Sequence, residues 1–241
     1  MSEAAATPIP RRGRLWVVVL LALAVGVLSY AIVNISTQKA GREVVQVAGI
    51  GETQEVFGGV PQEGDRVGSA DAPVSIQVFN DLQCSSCRAG FLAPIPDLVE
   101  DYVRPGDVKL LLRHYSVARN ALELGFFAAE AAAQQGYGWQ YTYLFFHNQD
   151  EAERFGIDEE FLETLAGSIG ELDVGEWHRY LEDESGPDGA ITSTLEGYEE
   201  LGTELGIRAR PAAIVNGPRG TRILQDDPSL GQIERAIEAV R

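Results

Sequence analysis

The chain holds two cysteines, and two residues separate them: Cys84-Ser85-Ser86-Cys87. Thiols at this spacing can close into a small disulfide ring and open again by thiol–disulfide exchange. The segment before them, Ala72-Pro73-Val74-Ser75-Ile76-Gln77-Val78-Phe79, alternates and is rich in β-branched residues, so it reads as a strand. A helix opens at the first cysteine. Its stripe runs on from Arg88 to Val103 through Phe91, Ile95, Leu98, Val99 and Tyr102, with Pro94 and Pro96 bending its early part. A sulfur at a helix N-terminus faces unpaired N–H groups and the positive end of the helix dipole. Both favour thiolate over thiol and lower a cysteine pKa from ~8.5 by about one to several units. Cys84 is then the sulfur attacked by a substrate thiolate when oxidised, and the nucleophile when reduced. Cys87, one turn inside the helix, resolves the mixed disulfide.

Other uses of the pair fit less well. As a structural staple, a ring this small removes little chain entropy, roughly 2 kcal/mol. As half of a zinc site it lacks partners, because His114, His147 and His178 are scattered without ligand spacing. No metal or cofactor is expected. The pairs and runs Asp226-Asp227 and Glu182-Asp183-Glu184 read as solvated faces, and no phosphate loop or paired-carboxylate signature is present. A net charge of −17 excludes nucleic acid as a partner, since phosphate binding needs basic clusters.

The rest of the chain positions this pair. Residues 1–14 are small and basic and read as a cytoplasmic tail. From Leu15 to Val33 the chain is uncharged and, apart from Ser29 and Tyr30, apolar, about long enough at ~1.5 Å per residue to span a ~30 Å hydrocarbon core. Trp16 and Tyr30 lie near its ends. Asn34 to Lys39 match a signal-peptidase site poorly, which favours a retained anchor over a cleaved signal. Arg11, Arg12 and Arg14 hold the N-terminus in the cytoplasm and place the remainder outside. Residues 34–65 read as a tether, with Val56-Phe57 able to form a strand or an adherent arm. The folded domain, 66–241, reads βαβ, then a helical block over about 119–205, then ββα. That block is too long for a loop and implies a helical subdomain. Its aromatics Phe126, Phe127, Trp139, Tyr141, Tyr143, Phe145 and Phe146 read as core.

Two segments carry a resemblance: Val67-Gly68-Ser69-Ala70-Asp71-Ala72-Pro73-Val74, and Phe79-Asn80-Asp81-Leu82-Gln83 with the cysteine motif. The chain resembles the DsbA-like thiol–disulfide oxidoreductases from about Gly64 to Arg241, and most of all their membrane-anchored bacterial type. The resemblance implies an α/β thioredoxin fold with an inserted helical subdomain, here preceded by one transmembrane helix. It implies that Pro211 is a cis-proline facing the cysteines. It also implies exported polypeptides with cysteines as substrates, and re-oxidation by a quinone-linked membrane partner, either DsbB-like or resembling vitamin K epoxide reductase.

The chain departs from the family in three ways. Ser85 and Ser86 stand where the family often has Pro followed by His, Tyr or Ser, and these two positions help set thiolate stability. Arg210 precedes Pro211 where Thr or Val is usual; it either faces Cys84 and stabilises the thiolate or is taken up by a carboxylate. Val78 occupies the place of a buried acid, leaving water, or Asp81 where that side chain faces inward, to carry the proton of Cys87. The direction of electron flow stays open between oxidant and reductase or isomerase. A non-catalytic polypeptide-binding module is the alternative of a different class.

Overall fold

The computed structural model describes residues 21, 23–30, 46–115 and 123–241. They belong to two units, Met1–Gln46 and Val47–Arg241. In the first, residues 21 and 23–30 are helical, and Leu21, Leu23, Val25, Val27 and Leu28 are exposed. The rest of the expected span (15–20, 22 and 31–33) lies outside the described residues, as do the expected tail 1–14 and tether residues 34–45. Among the described residues no helix is long and apolar enough to cross a membrane.

The second unit is built on one sheet of order β1-β2-β4-β3-β5-β6, with β1 Gln62–Glu63, β2 Arg66–Val67, β3 Val74–Asn80, β4 Val108–His114, β5 Ala212–Gly217 and β6 Gly220–Leu224. Strand β3 is parallel to β4 and antiparallel to β5, so it lies at the centre. Its side chains alternate between faces, as a period of two requires. Val74, Ile76 and Val78 enter the larger core with Ala213 and Val215 of β5. Phe79 packs on the opposite face with Ala212 and Ile214.

Helices cover both faces. After β3 come α2 (Ser85–Leu92), α3 (Ile95–Leu98) and one π-helical turn (Val99–Val103). The single helix expected over Arg88–Val103 is thus broken at Ala93-Pro94, beside the prolines expected to bend it. The inserted block contains α4 (Glu123–Gln134), α5 (Gly138–His147), α6 (Gln149–Phe155), α7 (Glu159–Gly167), α8 (Val174–Glu184) and α9 (Ala190–Glu204). Trp139, Tyr141, Tyr143, Phe145 and Phe146 are fully buried, as their helical spacing implied. Helix α10 (Leu230–Val240) starts at a capping box made by Ser229 and Gln232 and buries Ile233, Ile237 and Val240.

The tether is shorter than expected. Residues 50–57 form a further N-terminal helix, α1 (Ile50–Phe57), packed on the domain. Phe57 is 1% exposed, and its ring meets Tyr143 edge-on at 5.4 Å. Asn148 holds Ala48 from both sides, accepting its N–H at 2.8 Å and donating to its carbonyl at 3.1 Å. Arg104 satisfies the carbonyls at the end of this helix, donating to Glu55 (2.9 Å), Val56 (3.0 Å) and Gly58 (3.2 Å). The adherent arm is therefore a helix, and the domain begins near Val47. Phe57→Ala should destabilise the folded domain by about 3–5 kcal/mol in denaturant titrations, with one cooperative transition; an arm that merely tethers would leave the midpoint unmoved.

Candidate active site

Strand β3 ends at Asn80, and the turn Asp81-Leu82-Gln83 delivers Cys84 to the N-cap of α2. The turn is closed by the Cys84 N–H, which donates to the Asp81 carbonyl at 3.0 Å, and by the Gln83 N–H, which donates to Asp81 Oδ1 at 2.9 Å. Cys84 and Cys87 are joined as a disulfide, with Cα atoms 5.1 Å apart. Cys84 is partly exposed, and Cys87 is fully buried. The Cys84 sulfur accepts the Cys87 N–H at 3.1 Å and the Ser86 hydroxyl, which must be the donor to a disulfide sulfur, at 3.0 Å. Both donors face the sulfur that becomes the thiolate on reduction, at the end of the helix where negative charge is favoured. Ser85 is exposed and makes no side-chain hydrogen bond among the described residues.

The expected proline is in place. The Arg210–Pro211 peptide bond is cis, and Pro211 packs on the helix that carries the cysteines. The contact is close enough to require glycine: a Cβ on Gly90 would stand 2.6 Å from Pro211 Cγ and closer still to Asp227 Oδ1. Gly90 lies one turn beyond Cys87. A glycine inside a helix costs about 1 kcal/mol against alanine, and its presence three residues after the second cysteine of the motif was a readable sign of close approach.

Of the two readings of Arg210, the structure shows the second. Its guanidinium donates to the Asp81 carboxylate and to the Tyr115 carbonyl at 3.2 Å. No bond from Arg210 to Cys84 is present among the described residues. Asp81 does face inward, with its side chain 6% exposed, but it is held by Arg210 and the Gln83 N–H. Val78 is buried and apolar in the place of the absent acid. Arg88, in the first turn of α2, pairs with Asp150 at 2.5 Å and so joins this helix to the inserted block. Asp150 carried no sequence signal, because the pair spans 62 positions.

A polar pair that the sequence did not single out lies at the same end of the sheet. Asn80 and His114 are register partners at the ends of β3 and β4, and His114 Nδ1 is 3.2 Å from Asn80 Oδ1. Burial pushes the His114 pKa from 6.5 down to about 3, so the ring is neutral at physiological pH.

This fold recurs in other proteins. The family model described as thioredoxin matches residues 62–239. The chain belongs to the thioredoxin family. Within that family it is similar to a probable disulfide bond formation protein D of Bacillus cereus, with 21% identity over 219 residues, covering 90% of this chain and 89% of that protein. Disulfide bond formation protein D of Bacillus subtilis is 24% identical over 174 residues, covering 71% and 74%. Among solved structures, oxidised BdbD from Bacillus subtilis shares the fold with a TM-score of 0.61 at 22% identity, covering 74% of this chain and 95% of that one. DsbA of Chlamydia trachomatis does so with a TM-score of 0.55 at 20% identity, covering 72% and 89%. The DsbA-like resemblance read from the cysteine motif thus holds across the domain. This thioredoxin-family chain is a DsbA-like thiol–disulfide oxidoreductase.

The buried histidine gives a testable pH dependence. Its folded pKa lies below its unfolded value, so its contribution to stability is present above about pH 6.5 and is lost as pH falls toward 3. His114→Gln should therefore lose less unfolding free energy than wild type across that interval, measured by denaturant titration at each pH. Equal losses would mean that the ring is not buried as a neutral group.

Proposed function

We propose that this chain is an extracytoplasmic oxidant. It donates the Cys84–Cys87 disulfide to cysteines of exported polypeptides and is held to the membrane by Leu15–Val33, with its N-terminus in the cytoplasm. The observation that carries the reading is the pair of donors on the Cys84 sulfur. A sulfur that accepts an amide and a hydroxyl at a helix N-terminus is stabilised as a thiolate, and a stable thiolate makes its disulfide oxidising.

The exchange proceeds in two displacements. A substrate thiolate attacks Cys84 Sγ, forms a sulfur–sulfur bond to it and breaks the bond to Cys87, which leaves as thiolate and takes up a proton. A second substrate thiolate then attacks the substrate sulfur of the mixed disulfide. Cys84 leaves with the electron pair. The substrate loses two electrons and gains a disulfide, and the chain is left as the dithiol. With Val78 where an acid would stand, the proton for buried Cys87 reaches it through water. Returning the dithiol to the disulfide needs a two-electron acceptor, and we assign that role to a quinone-linked membrane protein, DsbB-like or resembling vitamin K epoxide reductase. The membrane reading is supported by the uncharged run over residues 15–33 and by the exposed apolar side chains Leu21, Leu23, Val25, Val27 and Leu28.

Equilibration with glutathione buffers tests the direction. A reduction potential near −120 mV is expected for an oxidant; one near −270 mV would make the chain a reductase. In the same preparation Cys84→Ser should abolish oxidation of a reduced, unfolded substrate, whereas equal rates for wild type and variant would remove the pair from the reaction.

A further inference from the structure

Arg210 draws together three chain segments at the active end of the sheet. It precedes β5, it donates to the Tyr115 carbonyl just after β4, and it pairs with Asp81 just after β3. Tyr115 is itself fixed, its N–H donating to the Asn80 carbonyl at 2.8 Å and its ring lying edge-on to Phe79 at 6.1 Å. Asp81 is the residue whose carbonyl accepts the Cys84 N–H and whose carboxylate accepts the Gln83 N–H. A buried carboxylate therefore stands at the base of the turn that presents the reactive sulfur, and one guanidinium neutralises it.

We propose that Asp81 and Arg210 are a charge-neutral positioning pair that sets the stability of the Cys84 thiolate. Asp81 alone opposes negative charge on Cys84, and Arg210 cancels that opposition while holding the turn in the shape the helix N-cap needs. The thiolate is then stabilised by the Cys87 N–H and the Ser86 hydroxyl, which carry no formal charge. The proposal rests on Cys84 being the reactive thiol. Among the described residues, the other ionisable groups around this end of the domain are Arg88 with Asp150 on the inserted block, Asp227 against Gly90, Glu153 lining the same cleft as Gln83, and the neutral His114 behind the turn. Among the described residues, Asp81 and Arg210 are the charged pair that joins the Cys84 turn to the segment leading into Pro211.

Ultraviolet thiolate absorbance of the reduced full chain in detergent micelles, followed against pH with Cys84→Ser as the reference, tests this directly. Asp81→Asn leaves an unopposed cation and should lower the Cys84 pKa by about one unit; Arg210→Met leaves an unopposed buried carboxylate and should raise it by about as much. The double variant should return close to wild type. The glutathione equilibrium constants should follow in the same order, about tenfold per unit. Should Arg210→Met not fold, Asp81→Asn and the double variant carry the test. An unshifted Asp81→Asn, or single variants that move the pKa the same way, would overturn the proposal. A merely structural ion pair would lower the melting temperature without opposite shifts. The titration needs no turnover: opposite shifts in a chain that oxidises no substrate would keep the pair and sink the functional reading, and an active oxidant with no shifts would do the reverse.

Discussion

The hydrogen bond from the Cys87 N–H to the Cys84 sulfur is the interaction on which this molecule depends. It exists because the turn after β3 places Cys84 at the N-cap of α2, where amides have no partner within the helix. The placement needs β3 at the centre of the sheet, fixed by β4 on one side and β5 on the other. It needs a helix that can lie against Pro211, hence the bare Cα of Gly90. It also needs a closed turn, hence Asp81. The inserted block steadies the same helix from the far side through Arg88 and Asp150.

Much of this was legible in the sequence, because the signals were local. The alternation of Val74 to Phe79, the spacing of the cysteines and the proline ahead of Ala212-Ala213-Ile214-Val215 each sit within a few residues. What stayed hidden was decided by distant partners. Ile50–Phe57 reads as a linker because glycines flank it, and its helix is held by Tyr143, Asn148 and Arg104 from elsewhere in the chain. Strands β1 and β2 are two residues each, too short to show a period. Helix α6 follows α5 across Asn148, with no proline or glycine to mark the boundary. The partner of Arg210 could not be chosen from sequence, since the chain offers 36 carboxylates.

That abundance of acid gives the local neutrality of the site its meaning. The chain carries a net charge of −17, yet Asp81, the acid within the redox turn, is held by Arg210 and the Gln83 N–H, and Asp150 is paired with Arg88 of the helix that follows. Away from the site the same acidity is handled differently. Arg113 pairs with Asp65 and stacks over Tyr198 beneath α9, and nearby Glu130, its carboxyl desolvated beside Asp65, is pushed up to about 8. A surface rich in carboxylates keeps the domain soluble. Left unopposed at the turn, one of them would weaken the thiolate that the helix N-terminus stabilises.

The fold makes reduced Cys84 a stable thiolate. The most direct measurement is the pH titration of the Cys84 thiolate in the reduced wild-type chain. A pKa at least one unit below the ~8.5 of a free cysteine is expected. A value at or above that of free cysteine would contradict it.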